Sequence, residues 1–341
     1  VSAPAQVRPL TPTGVLVTAA EPGSEEWFAA RRGGITGTDL PKILGDSGYG
    51  NALSVWLDKR GEAPEDTLGE AGQWGHLLED VVAREWARRS GAQVTPVGVL
   101  AHADQPWMCA SLDRLVTPGT CPDGDGSCGL EVKTRSAFVA GRWSEDVPDD
   151  VLAQVAWGLA VTGLHHMHVA VLLGGQRLES FRVDRDAALE RYLVEAGERV
   201  WTHVEAGIPP VVDPDADGVL LGLLNQLHAD RAGQVDLDPG DAGRWLVQYQ
   251  QGAELARDGE ALKAQAKTAL VQLLGDGEAG LLDGVPAFTY RRPAAGVSLP
   301  AAQVKRLAKE DPDTYAALRE AGYLTTTNPG PRFALAATRE A

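Results

Sequence analysis

The sequence predicts an α/β fold in which a central mixed sheet is flanked by helices, with a C-terminal helical and α+β extension. Three observations lead there. Short β-rich runs bounded by turn residues alternate with helical periodicity between residues 24 and 206. The Pro- and Asp-rich stretch IPPVVDPDADG, 208–218, interrupts that pattern, and a long heptad-spaced helix follows it.

Residues 1–23 are rich in Pro, Thr and Ala without apolar periodicity, which predicts a flexible lead-in. SEEWFAARR then opens on Ser24 as a helix N-cap, with acids in the first turn where the helix dipole favours them. The turn GGITGTDL leads into a short helix around 38–44. WGHLLEDVVAREWARRS, 74–90, is a firmer helix: Leu78, Val82 and Trp86, joined by Val81, form an apolar stripe, and Gly91 stands just past the end. VGVLAH (97–102), WMCASLDRLV (107–116), GLEVKT (129–134), MHVAVLL (167–173) and LESFRV (178–183) are predicted strands. Between the third and fourth, DDVLAQVAWGLAVTG carries Val151, Val155, Leu159 and Thr162 along one helical side. A helix at 186–206 ends at Gly207.

These elements define a domain over 24–206, a linker over 207–240 and a module over 241–341. In the last, 242–274 is a helix whose Leu255, Leu262 and Ala269 recur every seventh residue with Ala266 and Leu273 interleaved; Gly252 and Gly259 weaken it. Residues 284–292 are predicted as a strand and 299–321 as a helix.

No run of about 18 apolar residues occurs, and the N-terminus lacks the basic start and apolar stretch of a secretion signal, so a cytoplasmic protein without a membrane span is expected. Cys109, Cys121 and Cys128 read as free thiols. The loop composition of CPDGDGSC, with no CxxC or HxxxH near it, argues against zinc, and three cysteines are too few for an iron–sulfur cluster. A formal charge of −16 argues against a protein that coats nucleic acid over its whole surface. It does not exclude an enzyme with metal-binding carboxylates and a local basic groove.

Side chains on a strand alternate between faces. Ser111 and Asp113 would share one face of their strand, and Glu131 and Lys133 one face of the next. Charged groups on an otherwise apolar, covered sheet form either an internal salt-bridge network or a metal site. Read as a metal site, Asp113 and Glu131 supply hard oxygen ligands for Mg²⁺ or Mn²⁺, and Lys133 orients the attacking water or neutralises developing charge. Read blandly, the same D…ExK pattern is a solvated strand edge, since it is short and common. Three other places favour the first reading. Glu79, on the preceding helix, adds a third carboxylate; Gln154, on the helix after EVK, can face the cluster; and Arg31, Thr36 and Thr38 bracket a glycine turn suited to a phosphate.

Taken in order, EEWFAARRGGITGTDLPKILG, WLDKRGE, WGHLLED, CASLDRLV, LEVKT and AQVAWGLAVTG resemble the YqaJ-like viral recombinase nucleases, the PD-(D/E)xK family that includes phage lambda exonuclease. The likeness covers about 24–185. It implies a restriction-endonuclease-like core and a Mg²⁺-dependent 5′→3′ exonuclease on double-stranded DNA ends, using two ions that Mn²⁺ can replace. The product would be a 3′ single strand for a single-strand annealing protein, and a ring-shaped homotrimer would be the assembly. It also implies that Asp113, Glu131 and Lys133 are catalytic, that Glu79 lies on the metal side and that Gln154 is an active-site glutamine. Arg31, Thr38 and Ser111 would contact the terminal 5′ phosphate. Leu112 stands where relatives often carry Pro, and Thr38 where Ser is common; neither change removes a functional group. The 208–341 extension lies outside this likeness. A structure-specific or restriction-type endonuclease, and a non-catalytic DNA-binding scaffold, are the competing expectations.

Overall fold

The structure is a computed structural model that describes residues 9–64, 69–124, 126–212, 219–291 and 301–324. The chain divides into two compact units, 1–229 and 230–341.

The first unit carries two sheets. In the smaller, β1 (Gly14–Thr18), β3 (Val99–His102) and β4 (Cys109–Ser111) pair antiparallel in the order β1-β3-β4. In the larger the order is β2 (Val94–Thr95), β5 (Arg114–Val116), β6 (Gly129–Arg135), β7 (His166–Leu173) and β8 (Arg177–Asp184). β6 and β7 run parallel and the other neighbours antiparallel, so the central sheet is mixed, as expected.

Two expectations about these sheets are corrected. The lead-in expected to be flexible through residue 23 contains β1, which satisfies the free edge of β3 and is tied down where the Thr13 hydroxyl donates to the Val161 carbonyl at 2.8 Å. WMCASLDRLV is not one strand. It breaks at Leu112 and Asp113, with β4 in the smaller sheet and β5 in the larger. Ser111 and Asp113 therefore meet across a junction of sheets, not by alternation along one strand.

Helices cover both faces of the larger sheet. On one, Val82, Ala83 and Trp86 of α4 (Glu70–Ser90) pack with Leu130, Val132 and Ala170; Val81, expected in that stripe, is half exposed. On the other, Val151, Val155 and Leu159 of α5 (Asp149–Thr162) pack with Met167, Val169 and Val171. Odd and even positions of β7 thus serve opposite helices. Ahead of α4 lie α1 (Glu25–Arg32), α2 (Leu40–Leu44) and α3 (Ala52–Arg60), and α6 (Ala187–Ala206) closes the core. Ser24 caps α1 as predicted, its hydroxyl accepting from the Trp27 N–H.

The stretch expected to be a linker holds α7 (Leu220–Leu227), whose Leu223 is buried against Trp56 and Leu57. Burial of that leucine extends the first unit to residue 229.

In the second unit, α8 (Pro239–Leu274) is capped by Asp238, which accepts from the Gly240 and Asp241 N–H groups. Its heptad positions Leu255 and Leu262 are exposed. Lys263 donates to Glu260, and the Lys267 ammonium lies 5.4 Å from the Tyr290 ring centre. The predicted strand over 284–292 is the second arm of a hairpin, β9 (Ala279–Leu282) and β10 (Val285–Thr289). Asp283 and Gly284 turn it at φ of 51° and 82°, the Asp-Gly signature of a primed turn. The helix predicted over 299–321 is two, α9 (Ala301–Glu310) and α10 (Pro312–Glu320), because Pro312 can start a helix but not continue one. Residue 292 and residues 299–300, at the ends of those predictions, lie outside the described residues. Among the described residues no helix is long and apolar enough to cross a membrane.

Candidate active site

Glu131 and Lys133 alternate with Leu130 and Val132 on β6 and face away from α4. Glu131 is only 3% exposed. The Lys133 ammonium donates to Glu131 and, at 2.9 Å, to the Gln154 Oε1 from α5. The Gln154 Nε2 donates to the same Glu131 oxygen at 2.6 Å. Asp113 sits at the break between β4 and β5, and its Oδ2 accepts from the Val132 N–H at 2.7 Å, which fixes the aspartate beside β6.

Burial pushes the Asp113 carboxyl well above the usual carboxylate range, and the Glu131 and Glu79 charges push it further; Lys133 and the Val132 N–H offset only part of this. Like charges crowded at one buried point are the donor set of a hard divalent cation, so the residues present fit Mg²⁺ or Mn²⁺. Glu79, on α4, is held at 2.7 Å by Nη1 of Arg114, whose Nη2 reaches Asp80 at 3.2 Å.

A second cluster lies beside the first. The Arg31 Nη1 donates to the Ser111 Oγ at 3.1 Å, and its Nη2 donates to the hydroxyls of Thr38 at 2.7 Å and Thr36 at 3.2 Å. The guanidinium lies over the Trp27 ring, 4.4 Å from its centre. Behind it, Thr36 is fully buried and donates through both its hydroxyl and its N–H to Asp39, at 2.7 and 2.8 Å. Asp39 pairs with buried Lys59 at 2.8 Å, and Lys59 also donates to the Arg31 carbonyl. Burial alone would raise Asp39, but Lys59 and Arg31 outweigh it and hold the carboxyl below its usual value.

Eight residues singled out in the sequence, Arg31, Thr38, Glu79, Ser111, Asp113, Glu131, Lys133 and Gln154, line one cleft of about 380 Å³. Thr36 does not reach it and acts as a support for the turn. The sequence reading missed Asp39, Lys59, Arg114 and His76, the last of which also lines the cleft. Thr36 and Asp39 at Ncap and N3 form a capping box, a signal that was present in the TGTD run. Arg114 had no local signal, since its partners come from a helix more than 30 residues earlier.

A mixed sheet covered by helices on both faces, with an Asp and a Glu-x-Lys pair meeting at its surface, has the layout expected of a PD-(D/E)xK core. Comparison with known proteins narrows the class. Residues 26–165 match the model of the YqaJ-like viral recombinase domain. A curated relative, the uncharacterized protein YqaJ of Bacillus subtilis strain 168, is 29% identical over 312 residues, 88% of this chain and 92% of the relative. Among solved structures, the alkaline exonuclease LHK-Exo of Laribacter hongkongensis is similar at 19% identity and a TM-score of 0.45, over 54% of this chain and 94% of that chain. Its complex with dAMP gives 21% identity with the same coverage and TM-score.

Proposed function

We propose that this chain is a divalent-metal-dependent exonuclease that digests linear double-stranded DNA 5′→3′ and leaves a 3′ single strand for phage-type recombination. The observation that carries this reading is the presence, in one cleft, of a carboxylate–lysine cluster and an arginine ringed by hydroxyls. A terminal phosphate offers more charge and more free oxygens than an internal one. Arg31 offers a guanidinium fork, and Thr38 and Ser111 add two hydroxyl donors, which matches that extra charge. Trp27 holds the guanidinium plane in place before DNA arrives.

Asp113 and Glu131, with Glu79 beside them, would hold Mg²⁺, as one ion or two, with Mn²⁺ as a substitute. When bound, the metal supplies positive charge at the scissile phosphate and acidifies the attacking water. Lys133 orients that water and offsets charge growing on the phosphoryl oxygens. Gln154 keeps the lysine pointed at the reaction by accepting from it while donating to Glu131. The charge of −16 restricts DNA to the cleft or to the interior of a ring. A homotrimer and a single-strand annealing partner belong to the same proposal.

The test incubates purified protein with linear duplex and with covalently closed circles, in Mg²⁺ or Mn²⁺. Loss of the linear DNA with survival of the circles is expected. Cutting of the circles would favour the endonuclease reading, and intact linear DNA with both metals would end the enzymatic one.

A further inference from the structure

Away from the cleft, the loop between β5 and β6 brings two cysteines against two histidines. Cys128 immediately precedes β6, and Cys121 lies seven residues before it. His166 and His168 are alternate residues of β7, so they share the sheet face that packs under α4. The parallel register sets Gly129 opposite Met167 and Leu130 opposite His168, and one step back it sets Cys128 beside His166.

The Cys121 Sγ lies 3.0 Å from the Cys128 Sγ, 3.3 Å from the His166 Nε2 and 3.6 Å from the His168 Nε2. All four donor atoms lie within 4.8 Å of one another, and all four residues are buried. The sulfurs are too far apart for a disulfide, whose bond is about 2.05 Å. Zn–S bonds of about 2.3 Å and Zn–N bonds of about 2.0–2.1 Å in a tetrahedron require donor separations of roughly 3.3–3.8 Å; both sulfur–nitrogen separations fall in that range, and the sulfurs would part by roughly 0.8 Å to admit the ion.

We propose that Cys121, Cys128, His166 and His168 form a structural Zn²⁺ site that fastens the β5–β6 loop to β7. Two thiolates and two neutral imidazoles balance the charge of Zn²⁺, so the buried cluster is neutral; binding releases the two thiol protons. Sulfur and imidazole donors select zinc over the hard cations suited to the carboxylates. Four protein ligands leave no open position, which assigns the site to folding rather than catalysis. It lies on the α4 face of the sheet, whereas Glu131 and Lys133 occupy the α5 face. Trp86 packs against His168 with ring centres 5.0 Å apart and planes tilted by 45°, and it shields the site. Asp123, held at 2.9 Å by Arg182, stands at the rim of the cluster, 3.7 Å from the His168 Nε2 and 3.9 Å from the His166 Nε2.

The test measures metal content of the full chain by elemental mass spectrometry, then replaces the metal with Co²⁺. One zinc per chain is expected, with intense tetrahedral Co²⁺ bands and sulfur-to-cobalt charge transfer. A D113N/E131Q double variant should keep both signals, which separates this site from the catalytic carboxylates. Cys128→Ser should lose the zinc, and His168→Cys should retain it with stronger charge transfer. Wild-type protein without stoichiometric zinc and without charge transfer on Co²⁺ addition overturns the proposal, whether or not the variants fold. So does an intact mass lower by two hydrogens, which would mark a disulfide.

Discussion

On the proposed function, Arg31 is a side chain set in place before its ligand arrives. Its side-chain hydrogen bonds go to three hydroxyls, and its remaining face is stacked on Trp27, so its position is set while its charge stays available. Arg31→Ala is therefore expected to remove the preference for a 5′-phosphorylated end, with KM rising about 10–100-fold on phosphorylated duplex and little change on hydroxyl-ended duplex. Steady-state assays on the two substrates read this directly; an equal loss on both would contradict the assignment. Buried Asp39 yields a pH prediction. Its carboxyl is depressed in the folded state, so its contribution to stability is present above the unfolded value near 3.8 and is lost as pH falls through the lower folded value. Asp39→Asn leaves buried Lys59 with only the half-exposed Asp58 carboxylate at 3.4 Å and should cost about 3 kcal/mol at neutral pH. Urea midpoints at pH 7 and pH 3 should show that gap closing in acid.

At the scale of elements, close packing positions the chemistry. Gly37 opens the turn that leads to α2, and a Cβ placed there would lie 2.9 Å from the Gln154 carbonyl and 3.0 Å from its Cγ. Gly37→Ala should push Gln154 off Lys133 and slow hydrolysis by up to about 10²-fold, with a smaller effect on melting temperature. Elements were also where the sequence was most and least informative. Hydrophobic periodicity and turn residues placed the α4 and α5 helices and strands β6 to β8 to within a few residues, because each buries one face against a neighbour. The break at Leu112 and Asp113 was invisible, since both halves of WMCASLDRLV are equally β-prone and only pairing decides where each belongs. The Cys-His quartet was missed for a similar reason: Cys121 and Cys128 argued against zinc because no histidine lies near them in the sequence. Its histidines lie about 40 residues from its cysteines, and only the parallel register of β6 and β7 brings them together. By contrast, Asp113, Glu131, Lys133 and Gln154 could be found because order along the chain and type of residue coincide.

At the scale of the whole molecule, the first unit should be divisible only where its packing ends. Truncation after residue 206 removes Leu223 and uncovers Trp56 and Leu57, whereas truncation after residue 229 keeps that cluster. The shorter fragment is expected to be less stable by about 2–3 kcal/mol, on the cost of exposing one well-buried leucine and its neighbours. Equal urea midpoints for the two fragments would show that α7 contributes nothing to the fold. The net charge of −16 belongs to this scale too. On the proposed function, DNA affinity should fall only shallowly with salt, since contact would be restricted to the few cations of the cleft and the slope scales with their number.

The central claim is that one cleft both recognises a DNA end and hydrolyses from it. Incubating end-labelled linear duplex, with and without a 5′ phosphate, with wild-type protein and with Lys133→Ala in Mg²⁺ tests this most directly. Wild type should degrade the 5′-labelled strand first, faster when it is phosphorylated, and leave the complementary 3′ strand single. Lys133→Ala should be slower on the order of 10²–10³-fold. Degradation from the 3′ end, or equal activity in the lysine variant, would contradict the account.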